Sequence, residues 1–150
     1  MSWLNSFKKK LSSVFMSDAA GQWAVTAMGC MVFADGQAEE SEIQKATVVV
    51  QNNPVIKNSL GVEKGLQLFT EVVEAIKTEP MSMLSTYLKK LEELAQSVKT
   101  EEDRNFALGT VIAIAAADGE IEPPEHDMLL KFKAQLGATV DVPPPNAPIV

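Results

Sequence analysis

The chain has 150 residues, with 13 Lys+Arg against 20 Asp+Glu, a formal net charge of −7, one Cys and one His. That length suits one domain with a sizeable core, and an acidic chain whose single Arg is Arg104 has no electrostatic footprint for nucleic acid. One Cys excludes a disulfide framework and a Cys-based zinc site, one His argues against triad or HExxH chemistry, and no apolar run approaches the roughly 20 residues that span a bilayer.

Residues 2–15 place Trp3, Leu4, Phe7, Leu11, Val14 and Phe15 at helical spacing around Lys8, Lys9 and Lys10. The lysines interrupt the apolar stretch and no small-residue cleavage site follows, which makes a signal peptide a poor reading. A basic amphipathic helix of this kind either docks its stripe on the domain or makes weak contact with an anionic membrane surface. Ser17 or Asp18 is the expected N-cap of the next helix, which carries Trp23, Ala24, Ala27, Met28, Met31 and Val32 and stops at Asp35-Gly36. Helix resumes near Glu39, with Ile43, Ala46, Val49 and Val50, and ends at the breaker Asn52-Asn53-Pro54. Thr47–Val50 is β-branched but lies inside that helical pattern. A stripe of Leu66, Phe69, Val72, Val73 and Ile76 predicts a helix over 62–77, and Pro80 opens another through Leu84, Tyr87, Leu91 and Val98.

Thr100-Glu101-Glu102-Asp103 resembles a capping box with Asp in place of Glu or Gln. Its helix holds Phe106, Val111, Ile112 and Ala115 and ends at Asp118-Gly119; the last runs from Glu122-Pro123 to Leu136, capped by Gly137. The pattern predicts an all-α fold, a single-domain bundle of about seven helices. Residues 1–16 form the amphipathic helix, 17–137 the domain, and 138–150 a Pro-rich disordered tail.

One motif is written twice. Ala34-Asp35-Gly36 with Glu39 and Glu42, and Ala117-Asp118-Gly119 with Glu122 and Glu125, both fit A-D-G-x-x-E-x-x-E without a gap. Each copy follows an Ala-rich apolar helix and opens an amphipathic one, which points to internal duplication. The spacing puts Asp at the end of one helix and the two Glu on one side of the next, so three carboxylates converge across a tight turn. Such oxygen-only donors suit calcium or magnesium rather than zinc or copper. Ordinary capping explains part of the pattern, since acids at a helix N-terminus are stabilised by about 0.3–1 kcal/mol each. Yet residues 35–42 and 118–127 hold nine of the chain's 20 acids and no Lys or Arg, leaving 11 acids against 13 bases elsewhere. Carboxylates this dense call for a cation or a basic partner between them. His126, inside the second cluster, either tunes the site or is a bystander.

At these residues the chain resembles the TerB-like family, named after a bacterial tellurite-resistance protein. The paired motifs Asp35, Glu39, Glu42 and Asp118, Glu122, Glu125 carry the resemblance, and the Met1–Leu4 opening with Lys8–Lys10 adds to it; residues 54–100 match in helical pattern only, and the proline tail has no counterpart. The resemblance implies an all-helical fold in two pseudo-symmetric halves, with those six acids binding divalent metal. It also implies a role in tellurite and chemical-stress resistance beside protein partners that include membrane-associated and calcium-binding ones. The first expectation is therefore a non-enzymatic, metal-binding module in the cytoplasm, either free or at the inner face of the membrane. The alternative is an adaptor whose acidic face takes a basic or membrane-associated partner, with metal incidental. An enzyme is disfavoured, because no phosphate loop or nucleophile–base pair is visible and Cys30 sits in an apolar helix as a buried structural thiol.

Overall fold

The computed structural model describes residues 17–36, 38–116 and 121–145. The expected helix over residues 2–15 lies outside them. Seven helices are described: α1 (Asp18–Met31), α2 (Glu40–Asn52), α3 (Pro54–Ser59), α4 (Val62–Thr78), α5 (Pro80–Gln96), α6 (Glu101–Ala115) and α7 (Pro123–Leu136), and no strand is present among the described residues. The all-α expectation holds. None of these helices is long and apolar enough to cross a membrane.

The centre of the bundle is α1, buried continuously from Trp23 to Met31. A helix apolar on every side needs neighbours on every side, and α1 packs chiefly on α4, α5 and α6, with smaller contacts to α3 and α7. Small residues permit the close approach. A Cβ on Gly29 would stand 2.5 Å from Val72 Cγ1, and one on Gly65 2.6 Å from Ile56 Cγ2, so α4 lies against both α1 and α3. Trp23 and Phe132 meet edge to face, with ring centroids 5.4 Å apart, and are almost wholly buried. Each such side chain contributes about 1.5–3 kcal/mol by leaving water. The second apolar helix, α6, is buried from Ala107 to Ile112 and packs on α1 and α7.

Local signals set the boundaries. Ser17 Oγ accepts from the Ala20 N–H at 3.2 Å, and Thr100 Oγ1 from the Asp103 N–H at 3.1 Å, as the caps predicted. Gly137 ends α7 at φ 74, a left-handed conformation that favours glycine. The short helix α3 is unforeseen by the apolar pattern. Asn53 ends α2 and caps α3, its Oδ1 accepting from Val55 N–H at 2.9 Å and Ile56 N–H at 3.1 Å. The breaker is also a start signal.

Beyond α7 the chain is extended but held. Asn105 Oδ1 accepts from the Thr139 N–H at 2.7 Å and the Val140 N–H at 3.2 Å, and Val140 and Val142 pack against the core. The expected disorder of the tail from residue 138 does not extend to this anchored stretch; residues 146–150 lie outside the described set.

Candidate functional site

The first acidic turn grows out of the end of α1. Past Met31 the backbone tightens into successive i→i−3 bonds: Phe33 N–H to Cys30 O at 3.0 Å, Ala34 N–H to Met31 O at 3.0 Å and Gly36 N–H to Phe33 O at 2.9 Å. The helix thus closes sooner than Asp35-Gly36, and Phe33 stays buried while Asp35 is lifted to the surface. Gly36 reverses the chain at φ 94, and a Cβ there would meet nothing within 4 Å, so its requirement is backbone conformation alone. Glu39 then caps α2 at φ −77, ψ 153.

The second turn follows α6. Residues 117–120, Asp118 among them, lie outside the described residues. Ile121 is fully buried, and Glu122 caps α7 at φ −77, ψ 157, within a few degrees of Glu39. Glu125 Oε1 accepts from the Glu122 N–H at 3.0 Å, the N3 arm of a capping box. The sequence match is therefore a conformational match too: Glu39 and Glu122 occupy equivalent caps, with Glu42 and Glu125 at equivalent N3 positions.

Residues from both motifs line one cleft of 780 Å³, bounded by α1, α2, α6 and α7. Asp35 and Glu42 line it from the first motif, and Glu122 and Glu125 from the second. Glu39 is not among its lining residues. Glu40, counted with the dense acids, has a basic partner: Lys77 Nζ on α4 stands 3.1 Å from its Oε2, and this exposed pair holds the lysine pKa above its usual value. Asp127 faces a different groove, between α5 and α7, together with Lys131. His126 also turns away; its Nδ1 donates to the Pro143 carbonyl at 3.0 Å and pins the tail.

Two features of the cleft were not read as part of the site from the sequence. Its floor is apolar, with Met28, Val49, Val111 and Ile114, and Lys45 places a cation among the acids. The signal was the run Thr47–Val50. Only Val50 of its three valines is buried, while Val48 is 53% exposed and Val49 lines the cleft. Among the described residues no three His, Cys, Asp or Glu side chains gather as they must to hold a metal ion. Cys30 is buried, and desolvation pushes its thiol up to about 12, which suppresses the nucleophilic thiolate.

A family model described as tellurite resistance protein TerB matches residues 22–141, which include both motifs and all seven helices except the first turn of α1. No curated protein and no solved structure matches the chain.

Proposed function

Because the chain belongs to the family of the tellurite resistance protein TerB, we propose that it is a non-enzymatic binding module for a hard divalent cation, calcium or magnesium. It works in the response to tellurite, which the family name records, and to related chemical stress. One observation carries the reading: carboxylates from both copies of the motif line a single cleft.

The donors fit such an ion in kind, all oxygen and anionic. Asp35, Glu42, Glu122 and Glu125 would hold it, with Glu39 and Asp118 joining from the same turns. Since no three described donors are already gathered, the ion would draw the two walls toward each other. Bound, it supplies charge neutralisation and a link between the turn after α1 and the turn before α7. A site assembled in this way belongs with weak calcium modules of Kd about 10⁻⁴–10⁻³ M. At 10 mM calcium, linkage then stabilises the fold by about 1.4–2.7 kcal/mol.

The test is thermal unfolding during a calcium titration. Wild type should gain several degrees in Tm at 10 mM, and Asp35→Asn/Asp118→Asn should gain none. Equal behaviour of the two proteins would sink the reading.

The apolar floor supports a second reading, an adaptor for a basic, partly apolar partner, including one at the inner face of the membrane. A salt-sensitive complex that survives chelator in pull-down favours that reading over the metal.

A further inference from the structure

The two halves of the duplication pack unequally, and the cleft lies where they differ. In the register set by the acidic motifs, Ser17 corresponds to Thr100, so the side-chain caps of α1 and α6 coincide. Glu39 and Glu122 coincide likewise at the starts of α2 and α7. The repeated unit is therefore a whole helix pair, α1 with α2 and α6 with α7. The cleft floor follows the same register: Met28 corresponds to Val111 and Met31 to Ile114, and all four line it.

The second helix of each pair breaks the equivalence. Helix α7 packs on both α6 and α1 and buries Leu129 and Phe132, the latter edge to face on Trp23. Helix α2 rests on α4 and α3 and makes no more than marginal contact with α1 or α6. At the positions of Leu129 and Phe132 it carries Ala46 and Val49, both smaller and both lining the cleft. The cleft thus opens where the other half has two large apolar side chains.

Its size and charge describe what fits. A helix 10 Å across occupies about 420 Å³ per turn, so the 780 Å³ of the cleft takes about two turns. Helices that lie in grooves anchor through side chains at i and i+3, the spacing of Leu129 and Phe132. The lining carries the carboxylates of Asp35, Glu42, Glu122 and Glu125 against Lys45 alone. The groove between α5 and α7 has the opposite balance, with Lys89, Arg104 and Lys131 against Glu92 and Asp127.

We propose that the cleft receives an amphipathic helix of a partner protein, anchored by a large aliphatic and an aromatic side chain three positions apart and flanked by Lys or Arg. This rests on the adaptor reading of the cleft and names the element that the partner inserts. The two anchors supply the bulk that Ala46 and Val49 lack, and their removal from water gives the affinity. The basic flanks meet the carboxylates and set the orientation.

The probe is a synthetic peptide of residues 123–136 carrying Glu125→Lys and Asp127→Lys, titrated in chelator into the isotope-labelled full chain. The amides of Ala46, Val49 and Val111 should shift saturably. Phe132→Ala in the peptide should weaken binding about tenfold or more. Ala46→Leu/Val49→Phe in the protein, which restores the missing bulk, should weaken it as much. Asp35→Lys/Glu42→Lys, at two exposed positions, should weaken it about tenfold and decides the matter where the filled cleft prevents folding. Absence of saturable shifts overturns the proposal, as do shifts centred on Trp23 or on Lys89 and Lys131. Equal binding of the Phe132→Ala peptide overturns it too, since charge alone then explains the contact. Shifts of the same amides on concentrating the protein without peptide give the cleft to a second copy. Binding that appears only after deletion of residues 1–16 gives it to the chain's own N-terminus. A salt-sensitive pull-down complex untouched by Ala46→Leu/Val49→Phe keeps the adaptor and removes this occupant; loss of both the complex and peptide binding removes the adaptor as well.

Discussion

At the scale of single residues, Cys30 shows how composition misleads about chemistry. A lone cysteine invites a reactive role, yet the thiol has no exposed surface and its pKa stands at about 12. In the unfolded chain it titrates near 8.5. Between those values the unfolded state loses a proton that the folded state keeps, so the stability attributable to the protonated thiol is complete below about pH 8.5 and is lost as pH rises toward 12. Relative to Cys30→Ala, the unfolding free energy of the wild type should fall by up to about 1.4 kcal/mol per pH unit in that window. Denaturant melts from pH 8 to 11 measure it, and parallel curves for the two proteins contradict it. The sequence revealed the buried thiol because Cys30 sits inside an apolar helix. It did not reveal that Glu40 has a partner, because Lys77 lies 37 positions away on α4.

At the scale of elements, capping chemistry was legible and packing direction was not. Ser17, Thr100 and Gly137 act as their side chains or backbone freedom dictate, and those interactions are local in sequence. Helix α3 escaped because six residues give too little periodicity to see. Its existence depends on Asn53, 8% exposed, whose one carboxamide oxygen serves two N–H groups. Asn53→Ala should cost about 1–2 kcal/mol, while Asn53→Asp, which keeps the acceptor, should recover most of it. Chemical denaturation of the three proteins checks the order. Pro54 favours the same start by fixing its own backbone and lacking an N–H that would go unpaired. The apolar floor of the cleft was hidden for a related reason: periodicity identifies a stripe on α2 but cannot tell how much of it the other helices cover.

At the scale of the whole molecule, the fold class and the repeated motif could be read directly, because helical period and matched spacing are one-dimensional facts. That Asp35, Glu42, Glu122 and Glu125 share a cleft depends on α1 packing against α6, and no spacing contains that. On the proposed function, a cation that joins the two turns stabilises the helices they leave. The buried amides in the middle of α1, Val25 to Met28, should then become better protected by the full binding free energy at 10 mM calcium, about ten- to hundredfold slower in exchange. Protection gained only in residues 32–36 would limit the effect to the turn. The mounting of α2 has a separate consequence. All four sides of the cleft pack on the core, but α2 does so through Ile43 and Val50 and rests chiefly on α4 and α3, steadied at its start by the exposed Glu40–Lys77 pair. The wall that carries Glu42 thus takes its position from α4 and α3 more than from the helix whose end forms the opposite side.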